Sequence, residues 1–252
     1  FAATSEAPGP AEVARWADDV EILRTDGGVP ILRLRARRSQ TDVQGQTELT
    51  DVRLQLYEAD GGEVVVLSPR AISLPEDAPR AGATDSGAGS PGARAGPGPG
   101  SWLLEGGVTL TAHGDLTMKT KTLAFFESSG TARTNEQVHF TRGALLGEAT
   151  GLSYSAGTRR ISFPGPLTAT LRTEGLGLVR LAAISGGCEP ATGVFEARDY
   201  TTLTERGEKL NGTLLRLRFS PQKGGLSRIE GMGGFQLETI GLIPAQAGES
   251  PL

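Results

Sequence analysis

Two histidines, His113 and His139, and one cysteine, Cys188, are all that this 252-residue chain offers for the commonest metal and nucleophile chemistry. A structural zinc site takes about four Cys or His ligands, more than these three residues supply. No disulfide can form within the chain, so the cysteine count does not mark a compartment. Serines are plentiful, but a serine nucleophile needs a nearby base and a third group to orient it, and neither histidine sits in a recognisable motif. No G-x-S-x-G elbow is present. Glu174-Gly175-Leu176-Gly177 lacks the later glycine of a dinucleotide-binding turn. Ile184-Ser185-Gly186-Gly187-Cys188 looks like a lipidation site, but such sites directly follow an N-terminal signal. Deep in the chain it reads as a turn with a small buried thiol. A carboxylate pair for glycoside hydrolysis is defined by geometry rather than spacing, and a carbohydrate-active enzyme stays open as a third reading.

Arg33, Arg35, Arg37 and Arg38 form a local basic ridge. It suits either lipid phosphates, through charge-assisted hydrogen bonds, or the solvated face of an amphipathic strand, which is the commoner case. Arg216 and Arg218 read the same way. Over the whole chain 25 Lys and Arg stand against 29 Asp and Glu, which leaves no field to gather nucleic acid. The 13 aromatic residues (8 Phe, 3 Tyr, 2 Trp) are not set among these arginines, as single-strand binding requires. We expect no nucleic-acid partner, no metal, no cofactor and no catalytic activity.

What must position the remaining side chains is β-structure. With 36 Gly and 15 Pro, a helical bundle carries too many breakers. Apolar and polar residues alternate with a period of two at Leu32-Leu34-Ala36, Val52-Leu54-Leu56, Val108-Leu110, Leu116-Met118, Val138-Phe140, Leu152-Tyr154, Leu167-Ala169-Leu171, Leu215-Leu217-Phe219 and Phe235-Leu237. Val64 to Leu67 is a short continuous apolar strand. Glycine pairs at Gly27-Gly28, Gly61-Gly62 and Gly224-Gly225 suit tight hairpins, which need positive φ. Such a series means a sandwich, jelly roll or barrel. Near the start, Val13, Trp16, Ala17 and Val20 fall at i, i+3, i+4 and i+7 after Pro10, which suits a short helix; Val20 and Ile22 suit a strand start equally. Glu76 to Ser101 is almost free of apolar residues larger than alanine and reads as a disordered insertion. No stretch approaches the roughly 18 apolar residues needed to span a bilayer.

A weak repeat runs through the second half. Gly147 precedes Leu152 and Tyr154 by the same offsets as Gly212 precedes Leu217 and Phe219. Each unit continues into a second apolar strand (Ile161 and Phe163; Leu226 and Ile229) and a third. Leu104-Glu105-Gly106-Gly107-Val108 echoes the step from Glu230 through Gly233-Gly234 to Leu237.

These phrases carry a resemblance. Leu104 to Leu110, Lys119 to Leu123, Thr134-Asn135-Glu136-Gln137-Val138 with Phe140, and Gly147 with Gly151-Leu152-Ser153-Tyr154 resemble the OstA-like periplasmic lipopolysaccharide-export family. Residues 20 to 74 look like its opening strands and 209 to 238 like one more module. The order is most similar to the LptC-like inner-membrane component with an LptA-like module added. The insertion departs from the pattern.

The resemblance implies a partly open β-jelly roll that holds acyl chains between its sheets and hands on lipopolysaccharide or a similar amphiphilic lipid. It also implies open strand edges that join other OstA-like modules by strand addition, and inner-membrane transporter components as neighbours. The expected location is the periplasm. The chain opens at Phe1 rather than Met, so an upstream anchor or signal is expected. The candidate groove lining is Leu54, Leu56, Val108, Leu110, Met118, Val138, Phe140, Leu152, Tyr154, Leu217, Phe219 and Phe235, and these same residues would equally fill an ordinary closed core. The expected organisation is an extension over 1–18, opening strands over 19–75, the insertion over 76–101, one module over 102–171, a second over 172–240 and a flexible tail over 241–252. A β-sandwich scaffold that binds only protein through its edges is the alternative. A carrier needs an apolar interior open at one end; a scaffold is closed and filled.

Overall fold

The computed structural model describes residues 13–58, 61–74, 100–113, 115–173, 177–220, 226–233 and 236–239. Among these residues seventeen antiparallel strands make one sheet. The first four are β1 (Val13–Asp26), β2 (Val29–Asp42), β3 (Thr47–Tyr57) and β4 (Glu63–Ser73). Four short strands follow: β5 (Ser101–Glu105), β6 (Val108–Ala112), β7 (Leu116–Thr120) and β8 (Leu123–Phe126). Then come β9 (Thr131–Arg142), β10 (Leu145–Ser155), β11 (Arg160–Phe163) and β12 (Leu167–Thr173). The last five described are β13 (Gly177–Glu189), β14 (Val194–Thr204), β15 (Glu208–Phe219), β16 (Leu226–Met232) and β17 (Gln236–Thr239). The all-β architecture expected from the alternating pattern is what forms, jelly-roll-like as the resemblance implies.

Each long strand lies along its chain neighbour and bends once near its middle. Where a long strand meets two short ones, they sit end to end along it. β4 holds β6 along Val64–Leu67 and β5 along Arg70–Ser73. β10 holds β12 along Leu145–Ala149 and β11 along Ser153–Ser155. β15 holds β17 and β16 in the same way. The repeat in the sequence has this meaning: β10–β11–β12 and β15–β16–β17 are equivalent units, and β4–β5–β6 has the same pairing.

The bends line up into one crease that folds the sheet into two leaves. Asp19, Asp51 and Asp199 take φ of 51°, 53° and 49°, and Gly151 takes 79°. Aspartate visits this left-handed region more readily than most residues. Asp19 falls opposite Arg37, Asp51 opposite Pro69, and Asp199 between Ile184 and Thr213. Pro69 has no N–H to lose where the ladder lapses. The extra residue at such a bend shifts the side-chain alternation by one. Thus Leu49 is buried before the crease in β3 and Val52, Leu54 and Leu56 after it; in β14 Phe195 and Ala197 are followed by Tyr200 and Thr202. Both halves of each strand thereby keep their apolar side inward.

Leaf one contains 20–26 of β1, 29–36 of β2, 52–57 of β3, 63–68 of β4, β6, β7, 137–142 of β9, 145–150 of β10, β12, 177–183 of β13, 200–204 of β14, 208–212 of β15 and β17. Leaf two contains the other halves with β5, β8, β11 and β16.

Two glycines of the repeat are explained by aromatic neighbours. A Cβ on Gly147 would lie 2.6 Å from Cε2 of Phe140, which pairs with it across β9 and β10. A Cβ on Gly212 would lie 2.7 Å from Cε1 of Tyr200, its partner across β14 and β15. In each pair the ring covers the glycine and occupies the inner face that a side chain would otherwise take.

Three expectations change. The segment from Val13 to Val20 is not a helix but part of β1, paired with β2 at Trp16↔Gln40 and Val20↔Ala36. Its three-residue spacing arises from a register shift between Val13 and Arg15 and from the left-handed turn at Asp19. Ser101 belongs to β5 and is buried, not the end of an insertion; 76–99 lies outside the described residues, as do 1–12 and the tail from 240. The boundary drawn between 171 and 172 falls within the β12–β13 ladder, so strands on both sides share one sheet.

Replacing Gly147 by Ala is expected to destabilise the protein by about 1–3 kcal/mol, because the buried Phe140 ring cannot give way without disturbing its neighbours. Urea unfolding measures this. A smaller residue at 140 in the same chain (Phe140→Leu with Gly147→Ala) should cost less than the sum of the two single changes, and strict additivity would show that the two side chains do not compete for space.

Candidate functional site

The space between the leaves is where the expected lining residues go. Leu54, Leu56, Val108, Leu110, Met118, Val138, Phe140, Leu152, Tyr154, Leu217 and Phe219 all face inward and are buried; Phe235 lies outside the described residues. Around Phe140 this space is filled. Phe140 of leaf one stacks on Phe163 of leaf two with centroids 5.0 Å apart and reaches Phe195 at 5.6 Å. Of the eleven placed residues, Leu217 alone lines the enclosed apolar cavity described below. The others are buried among neighbouring side chains.

Opposite the crease, polar clamps join the two rims. The Arg24 guanidinium meets the Glu127 carboxylate at 2.6 Å, and Trp102 Nε1 donates to the same carboxylate at 2.7 Å. Glu58, buried at the end of β3, lies 2.9 Å from His113 Nε2 and accepts from the Tyr154 hydroxyl at 3.2 Å. Burial first, then the Glu58 charge, holds the Tyr154 phenol above its ordinary range. Arg142 donates to Asp115 Oδ2 and to the Pro190 carbonyl, both at 3.0 Å, and covers the Phe219 ring at 5.5 Å.

These clamps reveal a slide between the leaves. At the rim, β1 of leaf one meets β8 of leaf two, β3 meets β10, and β9 meets the turn between β13 and β14. Among the described residues, leaf two therefore runs out of strands while leaf one continues. At that end lies a cavity of about 200 Å³ lined by Leu145, Leu171, Val179, Leu181, Leu210, Leu215 and Leu217, with Thr202, Thr204, Glu208 and the half-exposed Ile229 at its mouth. Sequence reading missed Val179 and Leu181, although they alternate with Leu178, Arg180 and Ala182 in the ordinary strand pattern, because the slide that uncovers them is a property of the two leaves together. A larger trough of about 610 Å³ lies on the outer side of leaf one, among His139, Leu146, Glu148, Thr168, Arg180 and Thr201. It is open to solvent and does not enclose an apolar chain.

The basic ridge is neutralised by neighbouring strands. Arg33 and Arg35 reach Glu21 at 2.8 and 3.2 Å, Arg37 reaches Asp51 at 2.8 Å, and Arg38 reaches Asp18 at 3.2 Å. On the outer side of leaf two, Arg216 donates twice to Glu196 Oε1, at 3.0 and 2.7 Å, and Arg160 once to Oε2 at 2.7 Å. Arg216, then Arg160, holds the Glu196 carboxyl below the usual carboxylate range. Cys188 is buried, and burial pushes its thiol up to about 12. Among the described residues no group of three or more His, Cys, Asp or Glu could hold a metal ion, and none of them forms a helix long and apolar enough to cross a membrane.

A scan against protein-family models finds no match to this chain, and neither does a search of curated proteins.

Because the Glu196 carboxyl titrates lower in the folded chain than in the unfolded one, its arginine contacts contribute stability above the ordinary carboxylate pKa, lost as pH falls through the folded value. Glu196→Gln should therefore lower the urea midpoint near neutral pH. Between about pH 5 and about pH 3 the variant's midpoint should fall less steeply than the parent's. Parallel curves would mean that these contacts carry no pH-dependent stability.

Proposed function

We propose that this chain is a non-enzymatic carrier that binds an amphiphile by its apolar tail and passes it on. The observation that supports this reading most is the cavity where leaf two ends, apolar on its walls and open at its mouth. It is smaller than the roughly 300–1,000 Å³ of small-molecule pockets, so it takes part of one acyl chain rather than a whole multi-chain lipid. Burying half a dozen methylenes contributes about 5 kcal/mol. That matches a dissociation constant on the order of 0.1 mM, loose enough for transfer.

The two ends of the sheet fit the same reading. Among the described strands β1 pairs only with β2, and β16 and β17 pair only with β15. A strand added to β16 would continue leaf two over the uncovered part of leaf one and lengthen the groove. The resemblance to the OstA-like family supports lipopolysaccharide or a similar lipid as the cargo, other such modules as the neighbours, inner-membrane transporter components as the source and the periplasm as the location.

A second reading is a scaffold that binds only protein through these edges. The filled interior around Phe140, Phe163 and Phe195 favours it, as do the exposed Trp16 and Val13 on β1.

Photo-crosslinking separates the two. A photoreactive residue at Leu181 or Leu217, in cells that make lipopolysaccharide, should give lipid adducts above those at the exposed Arg37. The same residue at Phe140, in the filled part, should give fewer. Protein adducts alone, or none above the Arg37 level, would leave the scaffold as the better account.

A further inference from the structure

The Arg142 side chain is only 2 % exposed and its contacts are incomplete. It meets Asp115 through one nitrogen at 3.0 Å rather than in a two-bond fork. Its Nη1 is buried without a hydrogen-bond partner, and so is Oδ1 of Asp115. A guanidinium prefers an acceptor that takes two parallel N–H bonds, and a buried donor left unpaired is costly. Asp115 lies beside Arg142 on leaf one, next to Leu116 of β7, and the bond that crosses the rim is the one from Arg142 to the Pro190 carbonyl. The ion pair therefore fixes the guanidinium for the bond that closes the rim, while leaving hydrogen-bonding capacity unused on both sides.

Its position gives that capacity a use. Leu145, paired with Arg142 across the β9–β10 hairpin, lines the cavity. Phe219, beneath the guanidinium, follows Leu217 by two residues on the same side of β15, and Leu217 also lines it. Asp115 is 23 % exposed, so the ion pair reaches solvent on the Asp115 side. A cation at the rim, beside an enclosed apolar wall, is the arrangement that a molecule with an anionic head and an apolar tail would match.

We propose that Arg142 binds the anionic headgroup of the cargo, and that its ion pair with Asp115, which fixes the guanidinium for its bond across the rim to Pro190, is a latch which that headgroup undoes. The proposal rests on the carrier reading and narrows it to amphiphiles with a phosphate or carboxylate head. On binding, the head takes the guanidinium from Asp115 and from the Pro190 carbonyl, the rim parts at β9 and the β13–β14 turn, and the tail enters beside Leu145 and Leu217. No covalent bond changes.

The test uses the full chain with two detergents of equal tail below their micelle-forming concentrations, dodecyl phosphate and the uncharged dodecyl maltoside, and with inorganic phosphate. Titration calorimetry should find dodecyl phosphate bound roughly ten- to a hundredfold tighter than dodecyl maltoside, and inorganic phosphate much weaker than either. Arg142→Gln should abolish the preference and keep tail binding. Asp115→Asn, which retains the cation and frees it, should increase the preference. Alkylation of Cys188, buried within reach of the Arg142 and Asp115 charges, should quicken in Asp115→Asn and not in the outer-face control Glu48→Gln. Equal binding of the two detergents, an unchanged preference in Arg142→Gln, or inorganic phosphate binding as tightly as dodecyl phosphate would overturn the headgroup role. Unchanged Cys188 alkylation in Asp115→Asn would overturn the latch. Binding of neither detergent would instead overturn the carrier reading itself.

Discussion

Every long strand here has to pass from one leaf to the other without breaking, and the crease where it does so governs everything else. A strand that simply bent would carry its apolar residues to the outside of the second leaf. The left-handed aspartates at 19, 51 and 199 and the glycine at 151 add the odd residue that turns the second half over. Their cost in backbone energy is local, whereas the gain is a continuous apolar interior from β2 to β15. Ladder contacts across the crease keep it tight: the Thr150 amide donates to the Pro166 carbonyl at 3.0 Å, and the Gly165 amide to Thr150 at 3.1 Å.

The opposite rim is closed by different means. Among the described residues no backbone ladder joins the leaves there, and they meet through buried or half-buried charges such as Glu127, Glu58 and Arg142. Buried ion pairs are poor sources of net stability, because desolvation consumes most of their attraction. They are good at fixing one alignment over another, since a leaf displaced by one strand would leave these groups unpaired. The slide that opens the cavity is thus held in place by polar groups whose contribution to stability is small.

Much of this was legible in the chain. Period-two alternation locates the strands, and the glycine-to-aromatic spacing exposes the repeat. The crease was not read, although the parity change from Leu49 to Val52 around Asp51 is visible in the residues themselves. Trp16 and Val13 misled because a bulge and a left-handed residue imitate helical spacing over a few positions. The arginine ridge looked cationic because its acids, Asp18, Glu21 and Asp51, lie on neighbouring strands. The lining residues chosen by alternation are inward, as alternation requires, but it cannot tell a filled interior from an open one. That difference depends on which strands of one leaf face which of the other, a long-range fact with no local signature.

The connectivity has a further consequence for how the molecule gains and loses order. Since each strand pairs only with strands near it in the chain, the protein behaves almost as a one-dimensional array, like a solenoid, in which stability is a sum over adjacent interfaces. Removing a three-strand unit such as β15–β17 from its end would shorten the array without rewiring what remains. Adding one would lengthen the interior by a fixed step. Sequences of this architecture can therefore drift in length by whole units, and the capacity of the interior becomes a matter of counting.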